Sequence, residues 1–347
     1  MGKLARARAQ FDLVDPMPSA ELARRASAYA DAATADNTRR AYRADLKRWA
    51  QWCMGQGIDP DTINPVTVAA YVTAHAERLK VATLQRRMAG LNAYQRGRGA
   101  EPVSTKAEPL RSVWAGIQRH HGAPQTQKKP VLVPDLRRIV TSLGDGPAAA
   151  RDAALLVVGF AGAMRRADLV GLDWTADGEG AGFVEQTPDG LLVTFRRSKT
   201  DQTGEGDVIG LAYGSHPSTC PVRALARWRD AQALQLGGAW GPIFRAVDRH
   251  GNIGTARMDG GSVARMVKRR LVQALVDGGE GRAAAERIAS NYAGHSLRAG
   301  FVTAAFHEGV PEAAIMPHTR HRKPETLYRY RRAATVFVDN PSARVGL

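Results

Sequence analysis

The sequence predicts a mainly α-helical chain in two parts, the second built around a small antiparallel β-sheet. Three observations carry this. Apolar residues recur at helical spacing through the first 120 residues. The run GAPQTQKKPV over 122–131 has the Pro, Gln and Lys content of an interdomain linker. Beyond it the period changes once, between residues 182 and 212, to short alternating runs with turn residues between them, and then becomes helical again. At 347 residues and 44% hydrophobic, the chain is long and apolar enough for two buried cores.

Taken in order, residues 1–17 form a loose basic lead, and Pro18 and Ser19 open a first helix. The run NTRRAYRADLKRWAQWCMGQG is amphipathic: Asn37 or Thr38 caps it, Tyr42, Leu46, Trp49 and Trp52 share its apolar face, and Gly55 and Gly57 end it. Helices follow over 66–78, 80–97 and about 104–120, so residues 18–121 read as one helical domain. Past the linker, the second domain (132–347) begins with helices in DLRRIVTSL and RDAALLVVGFAGAMRRADLVGL, the latter apolar enough to be buried. GFVEQT, LLVTFRRS and DVIGLA are expected as three antiparallel strands with tight turns. Helices resume at 220–235, 260–276, 283–290, 296–308 and 311–316.

Charge narrows the function. Lys and Arg total 49 against 33 Asp and Glu, a formal net of +16. Residues 1–130 hold 21 of the basic and 11 of the acidic side chains. So strong a bias implies a polyanionic partner, nucleic acid before an anionic membrane. No apolar run approaches 20 residues, and the basic N-terminus lacks the apolar stretch of a secretory signal, so a cytoplasmic, nucleoid-associated protein is expected. Arg39, Arg40 and Arg43 on the first amphipathic helix, and Arg86, Arg87, Arg96 and Arg98 on and after the third, are candidates for phosphate tracking. Cys53 and Cys220 stand alone, which excludes a disulfide framework and a cysteine-rich zinc site. Neither an HExxH pattern nor a GxxxxGK[ST] loop is present, so no metal and no nucleotide cofactor is expected.

The remaining chemistry is scattered. Arg165 in GAMRRADL follows a buried run, where a guanidinium needs an anion; Asp168 is within helical reach, and alone the two are equally a structural pair. Lys199 in RRSKTDQTG lies at a strand turn, where a lysine is ordinarily solvated. His295 and Arg298 in AGHSLRAGF stand at a helix entry on one face, a good anion site. In HTRHRKPETLYRYRR, His321 precedes Tyr330 by nine residues, while Tyr328 points elsewhere on a helix.

In this order and spacing, these residues resemble the tyrosine recombinase (phage integrase) family, in its simple two-domain, Cre-like kind. The likeness runs from about residue 20 to 332. RRADL matches the family's first arginine motif at Arg165, and Lys199 its hairpin lysine. HSLR matches the His-x-x-Arg box at His295 and Arg298, His321 the histidine-or-tryptophan position, and Tyr330 the nucleophile. Asp168 replaces the more usual Glu, Arg320 stands where a Gly commonly precedes the histidine, and Pro317 and Pro324 flank that segment. The helical first part resembles the family's core-binding, SAM-like DNA-binding domain.

The resemblance implies DNA cleavage and rejoining through a 3′-phosphotyrosine, without metal or ATP. Arg165 and Arg298 would grip the phosphate, His295 and His321 add hydrogen bonds, and Lys199 protonate the leaving oxygen. It further implies double-stranded DNA with inverted-repeat sites as substrate, a tetramer on DNA, and a C-terminal tail (ATVFV) packed in cis or in trans. No separate arm-binding domain is expected ahead of the helical part. Two alternatives remain at this stage: relaxation of supercoils by a type IB topoisomerase, and DNA binding without catalysis.

Overall fold

The computed structural model describes residues 34–123, 128–196 and 206–335, with isolated helical residues between 21 and 29; the side chains of 36, 329 and 331–335 are excepted. The expected lead, the first helix opening at Pro18, the Lys199 turn and the apolar tail lie outside the described residues. Two compact units divide the chain at residues 125 and 126.

The first unit packs helices α1 (Asp36–Gly55), α2 (Pro65–His75), α3 (Val81–Gly97) and α4 (Leu110–His121). Asn64 and Thr67 exchange side-chain-to-backbone bonds in a capping box that starts α2. The apolar stripe of α1 buries Trp49 against Tyr71 of α2, edge to face at 5.1 Å, with Trp52 5.2 Å from the same ring. Asp45 of α1 is buried and accepts two bonds from Arg86 of α3, at 2.9 and 3.0 Å. Arg87 donates to the Tyr71 hydroxyl at 2.7 Å and is 8% exposed. Arg87 is thus a core residue and not a phosphate contact, because its face of α3 turns toward α2. Arg98 likewise pairs with Asp61 at 2.5 Å, though it remains at the surface. The fourth helix starts at Leu110, later than the sequence suggested, because Ser104–Glu108 uses its polar groups in local turns ending at Pro109.

The second unit is organised around α6 (Pro147–Ala161), whose residues Ala153–Val158 are all buried. It follows α5 (Val133–Thr141) and packs on α8 (Pro221–Leu236), which comes after the short α7 (Arg166–Val170) and the sheet. Strands β2 (Gly182–Thr187), β3 (Gly190–Phe195) and β4 (Asp207–Ala212) are antiparallel, as their alternation predicts. A two-residue strand, β1 (Leu172–Asp173), adds a parallel edge on β2 and makes the sheet mixed. Phe195 pairs with Asp207, so the segment carrying Lys199 leaves and returns at that pair.

A second hairpin, β5 (Arg245–Val247) with β6 (Ile253–Arg257), was not legible in the sequence. It is held by Arg245, fully buried, whose guanidinium donates to the carbonyls of Pro242, Thr255 and Trp240. Helices α9 (Gly260–Asp277), α10 (Arg282–Ser290), α11 (Ser296–His307), α12 (Glu312–Thr319) and α13 (Pro324–Thr335) complete the unit. Gly300 of α11 faces the end of the linker: a Cβ there would lie 1.8 Å from the Val131 carbonyl oxygen, so only glycine allows this approach. A separate small cluster of Val302, Ala305, Ile315 and Leu327 anchors α13 on α11 and α12.

The single helix expected over RDAALLVVGFAGAMRRADLVGL is broken. It stops at Ala161, Ala163 takes a left-handed φ of 44°, and α7 starts afresh after Arg165. The unbroken apolar period hid this, since Ala163 and Met164 stay buried across the break.

Candidate active site

The site residues within the described segments sit at or near the helices of the second unit, three of them just outside a helix end. Arg165 is the extended residue that caps α7, His295 caps α11, Arg298 lies one turn into α11, His321 follows α12, and Tyr330 lies in α13. The helix break frees Arg165 from the α6 cylinder and turns the Ala163 carbonyl inward. Arg298, 1% exposed, donates to that carbonyl at 2.7 Å.

The second hydrogen bond of Arg298 fixes a tautomer. Its Nη2 lies 3.0 Å from His321 Nε2. A guanidinium only donates, so Nε2 accepts and the imidazole proton is on Nδ1. Nδ1 lies 2.7 Å from Thr319 Oγ1, whose own hydrogen goes to the Ile315 carbonyl at 2.7 Å. Thr319 is fully buried. In this arrangement His321 orients Arg298 and offers no donor to a substrate. Burial first, then the charges of Arg298 and Arg165, hold the His321 pKa down to about 3, which keeps it neutral. Burial, then the charges of Arg165 and Arg320, pull Arg298 down to about 9, still protonated at neutral pH.

Tyr330 reaches the same pocket. Its hydroxyl lies 2.8 Å from His295 Nε2, and its ring centroid is 6.5 Å from that of His321. Burial, then Arg298, Arg165 and Arg166, hold His295 below its ordinary 6.5, so the imidazole is neutral. In the tautomer protonated on Nδ1, its Nε2 presents a lone pair to the phenol. Tyr328, 41% exposed, is not part of this group. Arg165 Nη1 stands 3.7 Å from Asp168, which also meets Arg320 at 2.8 Å. Thr319, Arg320 and the Ala163 carbonyl were missed by the sequence reading. Arg320 left a trace there, as an arginine in place of a small residue before His321.

The structure therefore brings together Arg165, Asp168, His295, Arg298, His321 and Tyr330 in one chain, while Lys199 lies outside the described residues. The pocket is cationic, with a phenol at one side, and suits an anion attacked by an oxygen nucleophile. Among the described residues no group of three or more His, Cys, Asp or Glu converges as a metal site, and no helix is long and apolar enough to cross a membrane. On the first unit, Arg40, Arg43, Arg86 and Arg96 are at the surface, with Arg40 bonded to Asn37 at 2.6 Å, and Arg39 is half-buried.

Residues 29–101 match the family model described as phage integrase, N-terminal SAM-like domain. The chain is 31% identical over 314 residues to an integrase/recombinase xerD homolog of Selenomonas ruminantium, covering 90% of this chain and 86% of that protein. Among solved structures it is similar to the XerH site-specific recombinase bound to palindromic difH substrate in a post-cleavage complex. That match has a TM-score of 0.61 at 13% identity over 99% of this chain and 88% of that one. It is also similar to the Tn1549 transposon integrase in complex with transposon right end DNA, with a TM-score of 0.57 at 14% identity over 90% and 95% of the two chains. These two likenesses show the fold, and the relative at 31% identity, aligned over nine-tenths of the chain, shows more: the chain belongs to the tyrosine recombinase (phage integrase) family of site-specific DNA recombinases.

Proposed function

We propose that this recombinase cuts and rejoins double-stranded DNA through a transient 3′-phosphotyrosine on Tyr330, in the cytoplasm at the nucleoid. The observation that carries the reading is the 2.8 Å approach of the Tyr330 hydroxyl to His295 Nε2, beside the buried fork of Arg298. The phenol oxygen bonds to phosphorus, and its proton passes to His295. The bond from phosphorus to the 5′ oxygen breaks, and that oxygen takes a proton from Lys199, assigned by its sequence position. Arg165 and Arg298 stabilise the charge spread over the non-bridging oxygens, the task a metal ion performs in other phosphoryl-transfer enzymes. The 5′ hydroxyl of another strand then attacks the phosphotyrosine and restores the duplex. One phosphodiester replaces another through a covalent ester, so no nucleotide is consumed.

The basic face of the first unit supports binding along the backbone, through surface residues such as Arg43 and Arg96. Paired cutting of inverted repeats calls for one chain per cleaved strand, hence a tetramer. The test is a duplex selected by binding from a random pool and nicked beside the scissile phosphate. Wild-type protein is expected to trap a covalent complex whose peptide map places the nucleotide on Tyr330; attachment elsewhere, or none, sinks the reading.

Two further results are expected. Cleavage measured in a single turnover should rise with pH through an inflection below 6.5, because a protonated His295 has no lone pair for the phenol and loses its proton as pH increases. An inflection above 6.5 would remove His295 from the base role. Lys199→Ala should slow cleavage about 10²- to 10⁴-fold on ordinary DNA and recover on DNA with a bridging 5′ sulfur, a leaving group that needs no proton. Equal loss on both substrates would count against the general acid.

A further inference from the structure

Arg320 occupies a backbone position that disfavours any side chain. Its φ of 55° and ψ of 46° are left-handed, the region where glycine is at ease. Yet the residue is buried, and its side chain has two specific partners. Its guanidinium carbon lies 3.7 Å over the Phe195 ring, at the end of β3, and its Nη2 lies 2.8 Å from Asp168 Oδ2. Arg165 Nη1 approaches the same oxygen only to 3.7 Å. One carboxylate is therefore shared unequally between two arginines.

The consequence concerns Arg165. Its side chain is 20% exposed, whereas that of Arg320 is 2% exposed, so Arg165 is in front and Arg320 behind. Without Arg320, Asp168 would be a buried carboxylate with Arg165 as its one close cation, and the pair would close up. A guanidinium held fork to fork by a carboxylate has fewer donors left for phosphate. Neither arginine makes a well-aligned hydrogen bond to Asp168: Arg165 Nη1, all three Arg320 nitrogens and Asp168 Oδ2 are buried without such a partner. The carboxylate is thus balanced by charge and not locked by geometry.

Resting on the phosphotyrosine reading above, we propose that Arg320 is a positioning residue for Arg165: it neutralises Asp168 from behind, so that the carboxylate steers Arg165 without capturing it. Arg320 does not touch the phosphate. It sets how much of Arg165 is available to the substrate.

The test is a rescue. Arg320→Gly relieves the backbone strain but empties the space over Phe195, so it should fold and bind DNA with a lowered melting temperature, and cleave a suicide substrate about 10- to 100-fold more slowly, part of the loss expected for one electrostatic donor. Adding Asp168→Asn should restore the rate to within about threefold of wild type, since the amide cannot hold Arg165 as a carboxylate does. Arg320→Gln, which keeps bulk over Phe195 without the charge, must show the same loss and the same rescue if the glycine variant fails to fold. Wild-type rates in the single variants, or a loss that Asp168→Asn leaves in place, overturn the inference while the wild-type adduct on Tyr330 stands. Absence of that adduct overturns both.

Discussion

Tyr330→Phe is expected to bind the target duplex and form no covalent adduct, with cleavage reduced by at least about 10⁴-fold, as for loss of a sole nucleophile. The substitution removes one oxygen. Leu327, fully buried in the cluster under α13, still docks that helix, so loss of the reaction cannot be assigned to loss of the element. Tyr328→Phe is the matched control. Tyr328 is two residues earlier, about 200° around the helix, and 41% exposed, so its hydroxyl does not share the pocket. Denaturing electrophoresis of nicked substrate reads both variants. A covalent band from Tyr330→Phe, or its loss from Tyr328→Phe, would overturn the assignment of the nucleophile.

Arg298→Lys is expected to lower single-turnover cleavage by about 10²- to 10³-fold, the scale for removal of a fixed transition-state donor. Charge alone does not do what this residue does. The guanidinium spans from the Ala163 carbonyl at 2.7 Å to His321 Nε2 at 3.0 Å, and a planar fork is needed to hold both while facing a phosphate. A lysine ammonium is a single point on a flexible arm. Enclosed beside Arg165 and Arg320, it would also shed its proton readily, through desolvation and like charge. His321 would lose the donor that fixes its ring. A rate within tenfold of wild type would show that positive charge suffices and that the fork is dispensable.

The convergence of Arg165, His295, Arg298, His321 and Tyr330 in the second unit matches an order already visible in the sequence, and Arg165, His295 and His321 stand beside the ends of helices. The three antiparallel strands were legible from alternation, as in the burial of Leu191, Val193 and Phe195 on one face of β3. What stayed hidden depends on contacts distant in sequence. The β5–β6 hairpin has little apolar alternation, since its register is set by Arg245 bonding to backbone carbonyls, which no period records. Arg87 looked like its neighbour Arg86, and only the packing of α3 on α2 distinguishes the buried residue from the surface one. Arg320 was visible as a departure, but its meaning depends on Phe195 and Asp168, remote in sequence and adjacent in the fold.

The aim of Arg298 is set partly by a residue with no functional side chain. Ala163 is completely enclosed, and its backbone adopts a left-handed turn at φ 44°. Were a β-branched residue to arise there, the peptide would have to flip out of that turn, and the carbonyl would no longer meet the guanidinium. Strand cutting is therefore vulnerable at a chemically mute position, which a mutational survey confined to ionisable groups would pass over.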